Sequence, residues 1–196
     1  MSEFWLYFRL GLEHVLDWMA YDHVLFLMVL VAAYSFSSWK RVLWLVSIFT
    51  IGHTLSLFLA VYDVAKVDAS WVELLIVLTI LFTAFYNIIS AKKREHQRNI
   101  NILYFSTAFF GIIHGLGFSR YFKMIFPDAS KKFFPLIEFA LGIEAAQIIV
   151  VLSVLIISFI LQNMFRVTRR DWILVISAIV IGIILPLLKD TIQAIW

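Results

Sequence analysis

Residues Phe134–Phe165 read FPLIEFALGIEAAQIIVVLSVLIISFILQNMF. The run holds no Lys or Arg, and its two acids, Glu138 and Glu144, both fall in its first half. About 20 apolar residues suffice to carry a helix across a hydrocarbon core ~30 Å thick. Hydrocarbon offers the backbone no hydrogen-bond partner, so such a run must be helical to satisfy its own N–H and C=O groups. Its length leaves room for tilt or for protrusion at one end.

Working outward, the same pattern recurs along the chain. Further apolar runs occupy about His23–Trp39, Val42–Tyr62, Trp71–Ser90, Ile102–Phe118 and Trp172–Leu188, and Pro186 weakens the last turn of the final one. Counted together they predict about six transmembrane helices. Phe4–Leu16 is apolar and aromatic but too short to span, and Arg9, Glu13 and His14 interrupt it. It reads as an interfacial helix. The expected fold is therefore all-α: a polytopic helical bundle, preceded by an interfacial N-terminal helix. Short polar loops and the absence of a Pro-, Gly- or Ser-rich linker make residues 1–196 one integral membrane domain, with the bilayer as its first partner.

Composition supports this. Hydrophobic residues make up 63% of the chain and charged ones 15%, against about 25% charged in an ordinary soluble domain. There is no cysteine, so disulfides and thiolate metal sites are excluded. The net charge of +3 resides in loops and reports orientation, not nucleic-acid binding. The N-terminal MSEFWLYFRLGLEH is a poor signal peptide, because Glu3, Arg9 and Glu13 break its apolar part.

An even number of spans puts both termini on one side. The loops after the first, third and fifth spans carry nine basic residues against seven on the other face, with Lys40-Arg41, Lys92-Lys93-Arg94 and Arg169-Arg170 abutting span ends. By the positive-inside rule those loops are cytoplasmic and both termini lie outside the cytoplasm. Eleven of the thirteen acids then fall toward the outer side, an asymmetry that orientation does not demand.

That side also collects the histidines. His14 belongs to the interfacial helix, with Asp17 three residues on. Asp22-His23 stands at the outer mouth of the first span, Asp22 being a natural helix N-cap. His53 lies in the second, between Thr50 and Thr54. His114 lies in the fourth, within Gly111-Ile-Ile-His114-Gly115-Leu-Gly117, where Gly111 and Gly115 permit close helix approach. Glu144 and Gln147 share a face of the fifth, and Glu138 precedes them. Glu73 and Asn87 fall near one face of the third, with Thr79 and Thr83 beside them. His96, in a cytoplasmic loop, needs only solvation. Ionisable groups in hydrocarbon are expensive and usually face a cavity, a bound ion or one another. Their convergence at one depth predicts a metal or proton site. Interhelical hydrogen bonding is the plainer alternative for each, above all for Glu73, Asn87 and the threonines.

Imidazole nitrogen and carboxylate oxygen suit borderline divalent ions such as Ni, Co, Zn and Mn, whereas Cu(I) prefers sulfur. The expected ligand is a divalent metal ion, Ni, Co or Zn, held by His14, Asp22, His23, His53, His114 and Glu144. Asp17, Glu73, Asn87, Glu138 and Gln147 are supporting candidates.

At these residues the chain resembles the HupE/UreJ family, especially its shorter second branch. The resembling pieces are Gly11-Leu-Glu-His14, Asp22-His23-Val-Leu-Phe-Leu, Phe49-Thr-Ile-Gly-His53-Thr-Leu, Val72-Glu73, Phe110-Gly-Ile-Ile-His114-Gly-Leu-Gly-Phe118 and Phe139-Ala-Leu-Gly-Ile-Glu144-Ala-Ala-Gln147. The family is associated with hydrogenase and urease maturation, and its members are regarded as nickel or cobalt permeases. The resemblance thus implies a bacterial inner membrane with both termini periplasmic, and metal-ion import from the periplasmic side, with His14, Asp22, His23, His114 and Glu144 as ligands. Two departures stand out. The family places five residues between the first histidine and Asp-His, whereas seven intervene here between His14 and Asp22. In the fourth-span motif, Gly117 occupies the place of a glutamate and a preceding histidine is absent.

Three functions compete on the residues alone. A metal permease or metal-binding membrane protein comes first. A membrane-embedded metal-dependent hydrolase comes second, its water activated by the bound ion, though no HExxH occurs. Third is a non-catalytic subunit of an envelope complex, whose polar groups only bind helices together. The balance is against an enzyme. Partner subunits or further copies of the chain are the expected protein partners.

Overall fold

A computed structural model describes residues 3–17, 21–65, 67–97, 99–125 and 133–195. The basic positions Lys66, Arg98, Lys131 and Lys132 lie outside the described residues, as does the side chain of His96. Among the described residues there are seven α-helices and no strand. They are α1 (Glu3–Leu16), α2 (Asp22–Val31), α3 (Trp39–Val61), α4 (Ala69–Ser90), α5 (Ile100–Ile125), α6 (Phe133–Met164) and α7 (Arg169–Ile195).

Five of these, α3 to α7, are long and apolar enough to cross a membrane. The exception is the expected first span. Instead of running from His23 to Trp39 it is the ten-residue α2, followed by a turn and a short 3-10 segment at Phe36–Ser38. Ten residues rise only ~15 Å, half the hydrocarbon thickness. Apolar composition alone could not reveal the break, because Ala32, Ala33 and Tyr34 are buried like their helical neighbours. The last span differs in the other direction: α7 continues through Pro186 to Ile195. Pro186 lacks the N–H that would bond Gly182, a cost a helix can bear where that turn faces outward.

Local chemistry marks the helix ends. Asp68 caps α4 by accepting from Ser70 N at 2.9 Å. Thr168 and Asp171 cap α7 reciprocally, Asp171 N donating to Thr168 Oγ1 at 3.2 Å and Thr168 Oγ1 donating to Asp171 Oδ2 at 2.7 Å. α3 ends in a left-handed Asp63 (φ 61°), with Val64 N bonded to Leu59 O and Asp63 N to Ala60 O.

Glycines determine which helices meet backbone to backbone. A Cβ on Gly111 would fall 2.4 Å from Phe49 O, and one on Gly115 would fall 2.1 Å from His53 O. This pair, spaced four apart, lets α5 lie directly on α3. Gly11 and Gly142 do the same for α1 and α6: their added Cβ atoms would fall 2.1 Å from Phe139 O and 2.0 Å from Phe8 O. The N-terminal helix is therefore seated against α6, with Tyr7, Gly11 and Val15 buried.

The loops sort into two faces. On one, Glu95 accepts from Ser35 N, Ser35 Oγ, Ser38 Oγ and Arg41 Nη1, and Arg169 donates to Ala33 O and Lys93 O. The three loops grouped by charge in the sequence are thus neighbours. On the other face Lys123 Nζ reaches Asp63 Oδ1 at 2.7 Å.

Candidate metal centre

Four helix segments deliver four imidazoles to one point. His14 comes from the end of α1, His23 from the first turn of α2, His53 from α3 and His114 from α5. Ring centroids are 4.2 Å apart for His23 and His114, 4.7 Å for His14 and His23, and 5.9 Å for His14 and His53. The close α3–α5 contact through Gly111 and Gly115 brings the helices that carry His53 and His114 together, and His23 belongs with each of them to a group of converging ligand atoms.

The depth differs from the sequence expectation at Asp22-His23. His53 lies about 21 Å along α3 from Trp39 and about 12 Å from Val61, counting 1.5 Å per residue. His114 lies about 16 Å inside the far end of α5. His23 sits against His114, so α2 begins inside the bundle and not at its mouth. An isolated hydropathy reading takes every span to start at a membrane surface; a half-length helix need not.

Asp22 ties the cluster together. Its Oδ1 accepts from His23 N at 2.8 Å and lies 3.1 Å from His23 Nδ1. Its Oδ2 lies 3.1 Å from His114 Nε2. These contacts determine where the ring protons sit. With Nδ1–H of His23 donating to Asp22, Nε2 carries a bare lone pair, and that buried atom has no partner among the described residues. A carboxylate on one imidazole nitrogen and an open lone pair on the other is the arrangement that orients metal-binding histidines. His114 is more pointed. Its Nδ1 lies 3.3 Å from Phe110 O, which can only accept. Its Nε2 lies 3.1 Å from Asp22 Oδ2, a second acceptor, and a neutral ring has one proton for the two. Whichever contact the ring proton does not serve needs a second proton or a cation.

The remaining imidazoles are emptier still. Among the described residues, His14 Nε2 and both nitrogens of His53 are buried without a hydrogen-bond partner. A buried polar atom left unpaired costs about 1–3 kcal/mol, so four such nitrogens in one place call for a ligand. Ligand atoms of His14, His23 and His53 lie within 4.8 Å of one another, as do those of Asp22, His23 and His114. Bonds of ~2.0–2.1 Å to a tetrahedral ion bring nitrogens to about 3.3 Å apart. Small ring rotations would close that gap. Phe110 lies 4.1 Å from His114 and Phe118 4.0 Å from His14, ring to ring, making the walls apolar.

A cavity of about 180 Å³ reaches His14, Asp22, His23, Glu73 and His114. A second, of about 250 Å³, shares Asp22 and Glu73 with it and extends to Tyr21, Leu187 and Thr191. Glu73 therefore lines the approach, although it is itself exposed. Glu144 stands apart from both groups of converging ligand atoms, and Ser47 Oγ (2.6 Å) and Thr50 Oγ1 donate to it. Gln147 is fully buried beside Thr50. Asn87 donates to Val29 O at 2.5 Å and so joins α4 to α2. Asp17 is exposed at the end of α1, and Glu138 is half-buried, its Oε2 without a hydrogen-bond partner among the described residues. Ser47 is the polar residue that sequence reasoning missed. Its signal was present, since Ser47, Thr50 and His53 follow at three-residue steps on one face of α3.

Fold and site together define a multi-pass helical membrane protein with a buried imidazole–carboxylate centre. The chain belongs to the HupE/UreJ family, whose description, HupE / UreJ protein, matches residues 1–188. That family's link to nickel and cobalt handling makes this a metal-related membrane protein. Comparisons with curated proteins and with solved structures gave no match.

Proposed function

We propose that this protein is a permease for a divalent metal ion of the Ni/Co type, binding its cargo at His14, Asp22, His23, His53 and His114. The observation that carries the reading is the set of unpartnered imidazole nitrogens, His14 Nε2, His23 Nε2 and both of His53, converging in the bundle interior. Histidines serving only to bind helices together would spend those atoms on neighbouring helices. The hydrolase alternative fits less well: about 180 Å³ accommodates an ion and a few waters, not a polypeptide backbone with its side chains. In this reading the ion arrives from the periplasm past Glu73, gives up water for imidazole, and leaves toward the face where Glu95 and Arg169 gather the loops. The membrane is a bacterial inner membrane and the termini are periplasmic. Copies of the chain or partner subunits can assemble on its apolar exterior.

Elemental analysis of purified protein after exposure to Ni, Co, Zn and Mn tests binding, and ion uptake into proteoliposomes tests transport. Wild type should retain about one ion per site, and His23→Ala and His53→Ala should retain little. Absence of bound metal from the wild type in all four ions would sink the proposal.

A further inference from the structure

The converging ligand atoms form two groups that share one residue, His23. One group is His14, His23 and His53; the other is Asp22, His23 and His114. Their chemistry differs. The first is three imidazoles, from α1, α2 and α3. The second holds a carboxylate, and its other imidazole comes from α5. His53 stands outside the ligand set that the family resemblance implies.

The two nitrogens of His23 are in different conditions. Nδ1 lies 3.1 Å from Asp22 Oδ1, and the other oxygen of that carboxylate lies 3.1 Å from His114 Nε2. Nε2 is buried without a partner among the described residues, as are His14 Nε2 and both nitrogens of His53. A neutral imidazole carries one proton and offers one lone pair. With the proton on Nδ1 and donated to Asp22, Nε2 is the nitrogen free to bind with His14 and His53. With the proton on Nε2, Nδ1 is free to bind beside Asp22 and His114. The ring serves either group, not both at once. Two dications a few ångströms apart in a low dielectric also repel strongly, which again favours one ion at a time.

Access separates the groups as well. All of Asp22, His23 and His114 line the cavity of about 180 Å³, together with Glu73 and His14. His53 is not among its walls and is 0% exposed. A water occupies about 30 Å³, so an ion beside Asp22 has room to keep several. An ion held by His53 has exchanged that water for imidazole. Carboxylate and water suit hard ions such as Mn and Mg, whereas imidazole suits Ni and Zn, and affinity at nitrogen sites rises from Mn through Co to Ni. The Asp22 group is therefore open and permissive, and the His53 group is closed and selective.

We infer that the centre holds one ion in two successive positions, received at Asp22 and His114 and passed by His23 to His14 and His53, with His53 setting the specificity. The inference deepens the permease reading and rests on it. In the transfer the ion gives up Asp22, His114 and His23 Nδ1 and bonds His14, His53 and His23 Nε2. The ring proton passes from Nε2 to Nδ1 through water in the cavity, where Asp22 accepts it in a hydrogen bond, so no proton is gained or lost.

The test titrates the full chain in detergent with Co²⁺ and with Mn²⁺ at equilibrium, and follows Co²⁺ association by stopped flow. Wild type should bind one cobalt per chain and show the intense visible bands of a four-coordinate ion. His53→Ala should still bind cobalt at equilibrium, but at least tenfold more weakly and with the weak bands of a six-coordinate ion. Its preference for cobalt over manganese should fall at least tenfold. His14→Ala should behave in the same way, which keeps the inference testable if His53→Ala fails to fold. His114→Ala removes a ligand of the first position only, so it should slow cobalt association at least tenfold and leave the bands of the bound ion as in wild type. Two cobalt ions bound at once to the wild type overturn this inference alone. So do His53→Ala and His114→Ala proteins whose affinity, bands and association rate change alike, since that marks one undivided site. A wild type that binds none of Ni, Co, Zn and Mn overturns the permease reading and this inference with it.

Discussion

Asp22 does more at the residue scale than any other single side chain. It holds His23 in the tautomer that leaves Nε2 open and meets His114 on its other oxygen. Replacing such a carboxylate partner costs metal sites about 10–100-fold in affinity. Asp22→Asn should therefore weaken metal binding by that factor in a calorimetric titration, while leaving the helix content seen by circular dichroism intact. The glycines make a contrasting pair. A methyl on Gly115 meets the His53 carbonyl and Ser56 Oγ, both at 2.1 Å, whereas one on Gly182 meets nothing within 4 Å. Gly115→Ala should lower stability by about 1–3 kcal/mol through overpacking. Gly182→Ala should stay neutral or gain up to about 1 kcal/mol from helix propensity. Thermal unfolding in detergent distinguishes the two.

α2 is the decisive element. It is half the length of a span, starts beside the histidines and ends above a plate of loops knitted by Glu95 and Arg169. Arg169 reaches two carbonyls at once, Ala33 O and Lys93 O. Arg169→Ala leaves both without that donor, so amides 32–35 should exchange hydrogen at least several-fold faster than in wild type, with α6 unchanged. Equal exchange in the two proteins would mean that the plate is held by Glu95 and packing alone. α1 and α6 belong to the same scale. Their glycine-to-backbone crossing seats His14 over Phe118 and Phe139, at 4.0 and 5.7 Å between ring centroids.

At the scale of the whole molecule the surface is inverted relative to a soluble protein. Ile89 is 82% exposed and Phe105 73%, while His53 and Gln147 are at 0%. Hydrocarbon accepts the former, and the bundle interior keeps the latter from it. The absence of cysteine makes orientation directly measurable, since any single introduced thiol is the only one present. Lys93→Cys should react with a membrane-impermeant maleimide only from the cytoplasmic side, and Asp63→Cys only from the periplasmic side. The reverse pattern would invert the proposed direction of ion movement.

Helical class, five of the spans, the grouping of loops by face and the histidines and carboxylates of interest were all legible in the residues. Each depends on composition or local period: apolar length for spans, Lys and Arg at their ends, ionisable types where hydrocarbon makes them costly. The sequence could not reveal that α2 stops after ten residues, because Ala32, Ala33 and Tyr34 continue its buried run without a breaker. Nor could it separate Glu144 from the histidines, since spacing along one helix says nothing of which neighbour that helix turns toward. That choice belongs to the tertiary structure, where Gly111 and Gly115 press α5 onto α3 and Ser47 and Thr50 claim the glutamate. Apolar length and charge act on each segment independently, so a sequence states them. A site assembled from α1, α2, α3 and α5 exists only once packing has set the distances between them.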